Sequence, residues 1–267
     1  MSSHSTACAA DNLDVLFPLV TDPSVPQPCE EDAHDEERRI RRHYRLPWVS
    51  LWHRSMFRRS TLVLNRLPDR GAAVRAAVAQ SRTTLRAYKV VLLSQLMRQT
   101  NATTVLELGG GASTFLLAQI LAERNRATGS RCRLISLEQS PDYVGRINAA
   151  MPTALSRFVE VIYSPVSVRE VSGFRALFYD RLPALAEIDF IFIDGPAPDV
   201  DGRTDNLFSF SGDLVLMARR GVRFQLAATD VRWLNKTLFE RALGTSGYEV
   251  AADVLKRSVL VRPKATG

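Results

Sequence analysis

The sequence contains little of what marks a secreted, membrane-spanning or zinc-stabilised protein. Its three cysteines, Cys8, Cys29 and Cys132, are an odd number without a CxxC or zinc-ligand spacing. No apolar run reaches the roughly 20 residues that span a bilayer, and the N-terminus lacks the basic and apolar segments of a secretory signal. These absences argue against a disulfide framework and predict a reduced, soluble protein of the cytoplasm.

Lysine is also scarce, and most of the basic residues are arginines. The formal net charge is nevertheless +7, because Lys and Arg together number 35 against 28 acidic residues. The arginines are scattered rather than gathered in one stripe, and the densest cluster is RRIRRHYR at Arg38–Arg45. No long basic run is interleaved with stacking aromatic residues, so nucleic-acid binding is not indicated.

Three parts of the chain differ in composition. Residues 1–37 are rich in Ser, Asp and Pro and end in the acidic cluster EEDAHDEE, which predicts a disordered leader. Residues 38–99 carry apolar residues at helical spacing, which predicts a helical N-terminal extension. Residues 100–267 are predicted to form the main domain. With 46% hydrophobic and 24% charged residues, the chain has the composition of a globular protein with a sizeable core.

Two segments of the N-terminal region have alternative interpretations. Where the acidic cluster meets RRIRRHYR, the sequence favours a solvated helix with acids in its first turns and bases in its last, which suits the helix dipole. An arm that binds a partner is the alternative. LPWVSLWHRSMFRR (46–59) contains two of the three tryptophans. We predict that it packs against the main domain, with peripheral contact to a membrane surface or a partner as the alternative.

Strand-like and helix-like segments alternate after residue 100. TVLELG, CRLISLEQ and RFVEVIY are typical of strands, FRALFYD predicts a short extra strand, and ASTFLLAQILAERN predicts a helix. IDFIFIDG is almost entirely apolar, as in a parallel strand buried on both faces. GYEVAADVLKRSVLVRP predicts a closing hairpin. The predicted fold class is α/β: a Rossmann-like, doubly wound, mostly parallel sheet of seven strands with a C-terminal antiparallel β-hairpin, preceded by the helical extension.

Three consecutive glycines, Gly109–Gly111, lie between the first strand and the first helix of the main domain. In an open parallel sheet, ligands bind beyond the carboxyl ends of the strands, where this loop lies. The loop lacks the lysine of GxxxxGK[ST], which excludes a nucleoside triphosphate P-loop. It also departs from the dinucleotide pattern GxGxxG, because Thr114 stands at the last position and Glu107 precedes the glycines. An acid there would repel a pyrophosphate and suits a ligand with a cationic amino-acid head.

Two further acids end later strands. Glu138 ends the second strand, where a carboxylate can accept both hydroxyls of a ribose, and Asp194 ends IDFIFID. ELGGGAST, SLEQSP, FIFIDGP and the closing hairpin together resemble class I S-adenosylmethionine-dependent methyltransferases. GGAST combined with YDRLPAL and DFIFIDGPAP is most similar to the bacterial family-24 and macrocin-type O-methyltransferase-like group. The resemblance covers about residues 100–263.

This resemblance implies S-adenosylmethionine as the cofactor. Glu107 and the glycine backbone would contact its amino-acid part, Glu138 its ribose, and Ser164 with Pro165 its adenine. Asp194 would lie beside the methyl group. Ser113 and Thr114 would begin the next helix, either touching the cofactor or serving only as caps. The cofactor-binding residues implied are Glu107, Gly109, Gly110, Gly111, Ser113, Thr114, Glu138, Ser164 and Asp194.

Asp194 is the candidate catalytic residue. A methyltransferase positions its acceptor and, for a hydroxyl, removes or masks the proton. All four histidines precede the main domain, so none is an obvious general base unless His43 or His53 folds over the site. Asp194 and Asp230 end neighbouring strands, and a Mg²⁺ shared by them is an alternative. Metal-dependent relatives usually carry more acids at these positions.

The function predicted is methyl transfer to a small molecule or glycan, at a hydroxyl. The polar loop APDVDGRTDNLFSF follows Asp194. Arg203 and Arg232, taken singly, are predicted to be surface charges, with binding of an anionic or sugar group of the acceptor as the alternative. Two alternatives remain open. One is an NAD-type Rossmann oxidoreductase, which Glu107 and the missing third glycine of the dinucleotide pattern disfavour. The other is a non-catalytic binding module that keeps the S-adenosylmethionine fold. Nothing in the sequence selects the acceptor.

Overall fold

The computed structural model describes residues 17–19, 28–197 and 210–265. Its strands are β1 Thr104–Leu108, β2 Arg133–Glu138, β3 Val159–Tyr163, β4 Val166–Val171, β5 Phe174–Tyr179, β6 Glu187–Ile193, β7 Arg223–Thr229, β8 Tyr248–Asp253 and β9 Ser258–Pro263. Its helices are α1 Pro28–His43, α2 Pro47–Asn65, α3 Ala72–Gln80, α4 Ala87–Gln99, α5 Ala112–Thr128, α6 Pro141–Ala150, α7 Thr153–Ser156, α8 Asp213–Arg219 and α9 Leu234–Leu243, with a 3₁₀ helix at Pro68–Gly71.

Seven strands form the central sheet, in the order β3-β2-β1-β6-β7-β9-β8. The neighbouring strands β3, β2, β1, β6 and β7 pair in parallel, whereas β9 is antiparallel to both β7 and β8. β1 and β6 are neighbours at the centre, and their apolar side chains alternate between two cores, one on each face of the sheet. Burial on both faces explains why these strands are largely apolar, and Glu107 is a buried exception in β1. The predicted seven-stranded, mostly parallel sheet with a closing hairpin is confirmed.

A second, two-stranded antiparallel sheet of β4 and β5 is inserted between β3 and β6. β5 is the short extra strand that FRALFYD predicts, whereas its partner β4 had no clear signal in the sequence. Phe17 stacks on Phe178 of β5 with ring centroids 4.9 Å apart. Leu19 forms a single β-bridge with Arg169 of β4. The inserted sheet therefore carries the described part of the N-terminal segment.

The first helix begins earlier than the sequence predicts. The prediction of a disordered leader over residues 1–37 is wrong for residues 28–37, which belong to α1. The physical reason is a buried ion pair: Glu30 accepts hydrogen bonds from the backbone N–H of Arg175 at 3.0 Å and from its guanidinium Nε and Nη2 at 2.9 and 2.6 Å. As expected for the solvated helix, α1 has acids in its first turn and bases in its last.

Helices α2 and α4 pack together beside the sheet. Met56 of α2 is buried against Tyr88 and Val91 of α4, so the segment 46–59 packs through one face on the helical region. α4 is almost entirely apolar along its buried side, but its first turn brings Tyr88 and Lys89 to the carboxyl ends of β6 and β7. Within the described ranges, no helix combines the length and apolar character needed to cross a bilayer.

Candidate active site

The glycine loop is wedged between the ends of β2 and β6. Gly109 has a φ of +98°, and a Cβ there would lie 2.4 Å from the backbone nitrogen of Gly195. A Cβ on Gly110 would lie 2.9 Å from Ser136 Oγ, whereas one on Gly111 would meet nothing within 4 Å. Gly109 is therefore required by the close approach of the Gly195 backbone. Gly110 is confined by neighbouring side chains, and Gly111 is not required on steric grounds.

Glu107 lies fully buried beneath this loop. Its Oε2 accepts hydrogen bonds from the hydroxyls of Thr114 at 2.5 Å and Ser136 at 2.7 Å. Thr114 Oγ1 in turn accepts the backbone N–H of Gly111 at 2.9 Å. Burial raises the pKa of Glu107 to about 7, against the effect of the surrounding hydroxyls, which lower it. Glu107 therefore braces the loop and the first turn of α5 from below.

A cavity of about 540 Å³ opens above the loop, and we call it the glycine-loop cavity. It lies at the carboxyl ends of β1, β2 and β6, where ligands bind in open parallel sheets. Its lining residues are Gly109, Gly110, Glu138, Gln139, Ser140, Tyr143, Asp194, Gly195 and Ala197. Gln139 closes one side, because its side-chain oxygen accepts the backbone N–H of Ala197 at 2.7 Å.

Glu138 is the carboxylate that the end of β2 presents to this cavity. Its Oε1 accepts the backbone N–H of Ser140 at 2.9 Å. Burial raises the pKa of Glu138 to about 7, and the backbone amides of Ser140, Gln139 and Gly110 oppose that rise. The Glu138 carboxyl lies in the cavity next to the start of α6, where its oxygens can accept hydrogen bonds from ligand hydroxyls.

The predicted cofactor residues divide into two groups. Four of them line the glycine-loop cavity: Gly109, Gly110, Glu138 and Asp194. The other five, which do not line it, are Glu107, Gly111, Ser113, Thr114 and Ser164. Thr114 caps α5 as described above, and Ser164 Oγ accepts the backbone N–H of Arg181 at 2.9 Å. Glu107, Thr114 and Ser164 hold the loops around the cavity through these contacts.

Asp194 and Asp230 lie side by side with a lysine between them. Lys89 Nζ is 2.6 Å from Asp194 Oδ2 and 2.9 Å from Asp230 Oδ2. The hydroxyl of Tyr88 donates to the other oxygen of Asp230 at 2.6 Å. Sequence reasoning paired the two aspartates but missed Lys89, because nothing local links a helix before β1 to the ends of β6 and β7.

Asp194, Asp230 and Lys89 shift one another's pKa values in different directions. Burial raises the pKa of Asp194 to about 6, with Lys89 lowering it and Asp230 raising it. Burial also acts to raise the pKa of Asp230, but Lys89 and Tyr88 together hold it below its usual range. For Lys89, the two carboxylates outweigh burial and raise the pKa. Asp194 is thus the group of this cluster that exchanges a proton nearest neutral pH.

A second cavity of about 520 Å³ lies on the other side of Asp194, and we call it the α1 cavity. Its lining residues are His34, Glu37, Arg41, Arg86, Asp194, Asp230, Val231, Arg232, Trp233 and Leu234. Three of them, His34, Glu37 and Arg41, share one face of α1 at helical spacing. Asp194 lines both cavities.

The histidines and arginines considered as candidates in the sequence differ in what they contact. His43 Nδ1 lies 3.1 Å from the carbonyl of Arg39, and His53 Nε2 lies 3.2 Å from that of Val254, so neither reaches Asp194. His34 lines the α1 cavity instead. Arg232 donates through Nη2 to the carbonyls of Asp194 at 2.7 Å and Pro196 at 2.8 Å, which fixes the turn after β6. Arg203 lies outside the described residues.

Several solved structures resemble the chain in fold. An O-methyltransferase from Bacillus cereus in complex with SAH matches at a TM-score of 0.46 and 15% identity, over 72% of this chain and 90% of that one. A methyltransferase from Geobacter sulfurreducens matches at 0.44 and 16%, over 72% and 87%. The cofactor-bound Rv0187 from MTB matches at 0.44 and 20%, over 72% and 88%.

Neither a protein-family model nor a curated protein sequence matches the chain.

Proposed function

We propose that the protein is an S-adenosylmethionine-dependent methyltransferase that acts at a hydroxyl of a small molecule or glycan. The observation that carries this proposal is the position of Asp194, which lines both the glycine-loop cavity and the α1 cavity. A group-transfer enzyme needs two ligands that meet end to end at one reactive point. In this proposal the cofactor occupies the glycine-loop cavity and the acceptor occupies the α1 cavity.

The residues of the glycine-loop cavity fit this cofactor chemically. Gly109 and Gly110 line the cavity with backbone that carries no side chain, and the Glu138 carboxyl can accept the two ribose hydroxyls. Asp194 is an anion beside the position where a positively charged sulfur would lie. A pyrophosphate would instead face Glu138 and Asp194 without a lysine or arginine among the residues that line this cavity. The lining therefore favours a cationic ligand over NAD.

S-adenosylmethionine, when bound, supplies an electrophilic methyl group. The chain's own contribution is to align the acceptor and accept its proton. Asp194 is suited to the second task, because its pKa of about 6 leaves it mostly ionised at neutral pH yet basic enough to take a proton. Trp233 and Leu234 form an apolar part of the α1 cavity that helps to exclude water.

Calorimetric titration of the purified protein with S-adenosylmethionine and with NAD tests the cofactor. We expect binding of the first and none of the second. The Glu138→Ala variant should lose about 1.5–3 kcal/mol of S-adenosylmethionine binding free energy, because a charged acceptor of two hydroxyls is removed. Glu160→Ala, at an exposed position of β3, is the control. Binding of NAD alone would refute the proposal, and unchanged affinity in Glu138→Ala would place the ribose elsewhere.

Two finer assignments belong to the same proposal. The grouping with family-24 and macrocin-type enzymes is supported by the motifs after β1 and around β6, and it favours a sugar or small hydroxy compound as acceptor. A cytoplasmic location is supported by cysteine usage. Screening glycosides and small hydroxy compounds for conversion of S-adenosylmethionine to S-adenosylhomocysteine tests the acceptor class. A protein that binds the cofactor but converts no acceptor would instead be a binding module.

We also propose that α2 contacts an anionic membrane surface peripherally. Three large apolar side chains on one side of this helix are exposed: Trp48 (58%), Leu51 (63%) and Leu62 (61%). α2 contains no acidic residue, and Arg54 and Arg58 are exposed on it. Apolar side chains flanked only by cations match an anionic bilayer better than a neutral one.

Sedimentation with vesicles tests this contact. We expect binding to phosphatidylglycerol vesicles and little to phosphatidylcholine vesicles, with binding lost in a Trp48→Ser, Leu51→Ser double variant. Phe57→Ser, on the opposite side of the same helix, should bind like the wild type. A dimer in solution that the double variant dissociates would show that a second copy covers this surface, and would overturn the membrane proposal.

A further inference from the structure

Asp194 and Asp230 are placed as the ligands of a divalent cation would be, but the cation between them is the ammonium group of Lys89. The two aspartates follow β6 and β7, which pair in parallel, so both carboxylates project from the same edge of the sheet. Mg²⁺ is held in proteins by one or two carboxylates with water completing its shell. On the sequence alone, a shared Mg²⁺ was therefore an open alternative.

The side chain of Lys89 occupies the space between these carboxylates. Its ammonium group lies 2.6 Å from Asp194 Oδ2 and 2.9 Å from Asp230 Oδ2, and the lysine side chain is only 11% exposed. The remaining oxygen of Asp230 accepts the Tyr88 hydroxyl. Both oxygens of Asp230 and one of Asp194 are thus already engaged by donors from α4.

A divalent cation entering this site would have to displace the ammonium group. The lysine would then lie beside a dication in a poorly solvated pocket, where like charges repel strongly. The described residues contain no cluster of three or more His, Cys, Asp or Glu side chains that could hold a metal, so an ion here would depend on these two carboxylates and water, and Lys89 already occupies both carboxylates. The donor set therefore does not fit Mg²⁺.

We infer that Lys89 is a resident cation that takes the place of a divalent metal between Asp194 and Asp230. Its role is that of a positioning residue: it holds the Asp194 carboxylate at the junction of the two cavities and keeps the pair from binding metal. The inference rests on the geometry of these side chains and does not depend on the methyl-transfer proposal.

Manganese binding tests the inference, because Mn²⁺ accepts the same oxygen ligands as Mg²⁺ and is visible by electron paramagnetic resonance. The full-length protein is freed of metal with a chelator and titrated with Mn²⁺. We expect no stoichiometric site in the wild type. Lys89→Met should gain one site, at least about tenfold tighter than any wild-type binding. The double variant Lys89→Met, Asp230→Asn should lose that site again.

Thermal unfolding provides a second readout that is independent of activity. Lys89→Met leaves two neighbouring carboxylates without their cation, so its Tm should fall, and Mn²⁺ should restore part of the loss. Mn²⁺ should not change the Tm of the wild type. Lys89→Gln is used in the same two measurements if the methionine variant does not fold. S-adenosylmethionine affinity, measured in parallel, reports separately on the proposed function.

Two results would overturn the inference. One is a stoichiometric Mn²⁺ site in the wild type that Asp230→Asn removes, since Lys89 would then move aside for a metal. The other is a folded Lys89 variant that gains no Mn²⁺ site. The two carboxylates would then not be placed to bind a metal, and Lys89 would not be taking the place of one.

Discussion

The two cavities that meet at Asp194 are assembled in different ways. The lining of the glycine-loop cavity comes from short contiguous segments at the ends of three parallel strands: 109–110, 138–143 and 194–197. The lining of the α1 cavity comes from α1, from Arg86 ahead of α4, and from residues 230–234. The first depends on local motifs and the second on the packing of distant helices. Variants should therefore damage one cavity without the other, except at Asp194.

The largest effect is expected at the shared residue. Asp194→Asn keeps the shape of the side chain but removes its basicity, so turnover should fall by roughly 10²–10⁴ while S-adenosylmethionine still binds. The rate of the wild type should rise with pH through about 6, because only the ionised carboxyl accepts a proton. Single-turnover rates on an acceptor that the wild type methylates measure both effects.

The contrary outcome for Asp194→Asn is also informative. If the variant unfolds at lower temperature but keeps its rate, Asp194 is a structural acceptor for Lys89 and for the turn after β6, and not a base. Melting temperature and rate are therefore measured on the same preparation.

Removing the buried ion pair between Glu30 and Arg175, which holds α1, should disrupt the α1 cavity before the glycine-loop cavity. Glu30→Ala leaves the guanidinium of Arg175 buried without its carboxylate, and loss of one partner of a buried pair destabilises by about 3–5 kcal/mol. We expect faster tryptic cleavage in α1 and weaker acceptor binding, with S-adenosylmethionine affinity unchanged. Glu160→Ala removes the exposed pair with Arg133 and should change the free energy of unfolding by less than about 1 kcal/mol.

If Glu30→Ala weakened cofactor and acceptor binding equally, the two cavities would not be independent. Calorimetry with S-adenosylmethionine on the variant decides this point.

The glycine-loop cavity should lose its shape when the glycine loop cannot lie close to the end of β6. Gly109→Ala combines a φ of +98° with a Cβ placed 2.4 Å from Gly195 N, and strain and overpacking of this kind destabilise by about 2–4 kcal/mol. S-adenosylmethionine binding should be lost with it. Gly111→Ala is the matched control and should lie within about 1 kcal/mol of the wild type. Equal urea-unfolding curves for the two variants would show that close approach is not what Gly109 provides.

The smallest effect concerns stability against pH. The pKa of Glu107 is about 7 in the folded protein, above its ordinary value of 4.5, so the stability linked to it is present at low pH and lost as pH rises through 7. The Tm of the wild type should therefore fall between about pH 5 and pH 8. Glu107→Gln, which stays neutral, should show a smaller fall. An identical slope in both proteins would mean that Glu107 is ionised throughout this range.

For much of the site, the sequence predicts the motif residues but not the side chains that they contact. The glycine loop, Glu138 and Asp194 were found because each follows a strand directly, and parallel strands end at one edge of the sheet. The sequence could not show that Glu107 braces the loop from beneath, because burial depends on how α5 packs. It could not show α1 over Asp194 either, because residues 28–37 are polar enough for disorder. The contacts that hold them, such as Glu30 with Arg175 and Glu36 with Lys236, are to residues far along the chain.

The alternation of strands and helices, the parallel sheet and the turn at Gly109 and Gly110 can all be predicted from local sequence. Each of these follows from the apolar period or the backbone demands of a few consecutive residues. The side chains that meet at the site are brought together by long-range packing: Lys89 and Asp194 are 105 residues apart, Tyr88 and Asp230 are 142 apart, and Glu30 and Arg175 are 145 apart. No local pattern links such partners, because their contact is stabilised by the packing of helices on the finished sheet.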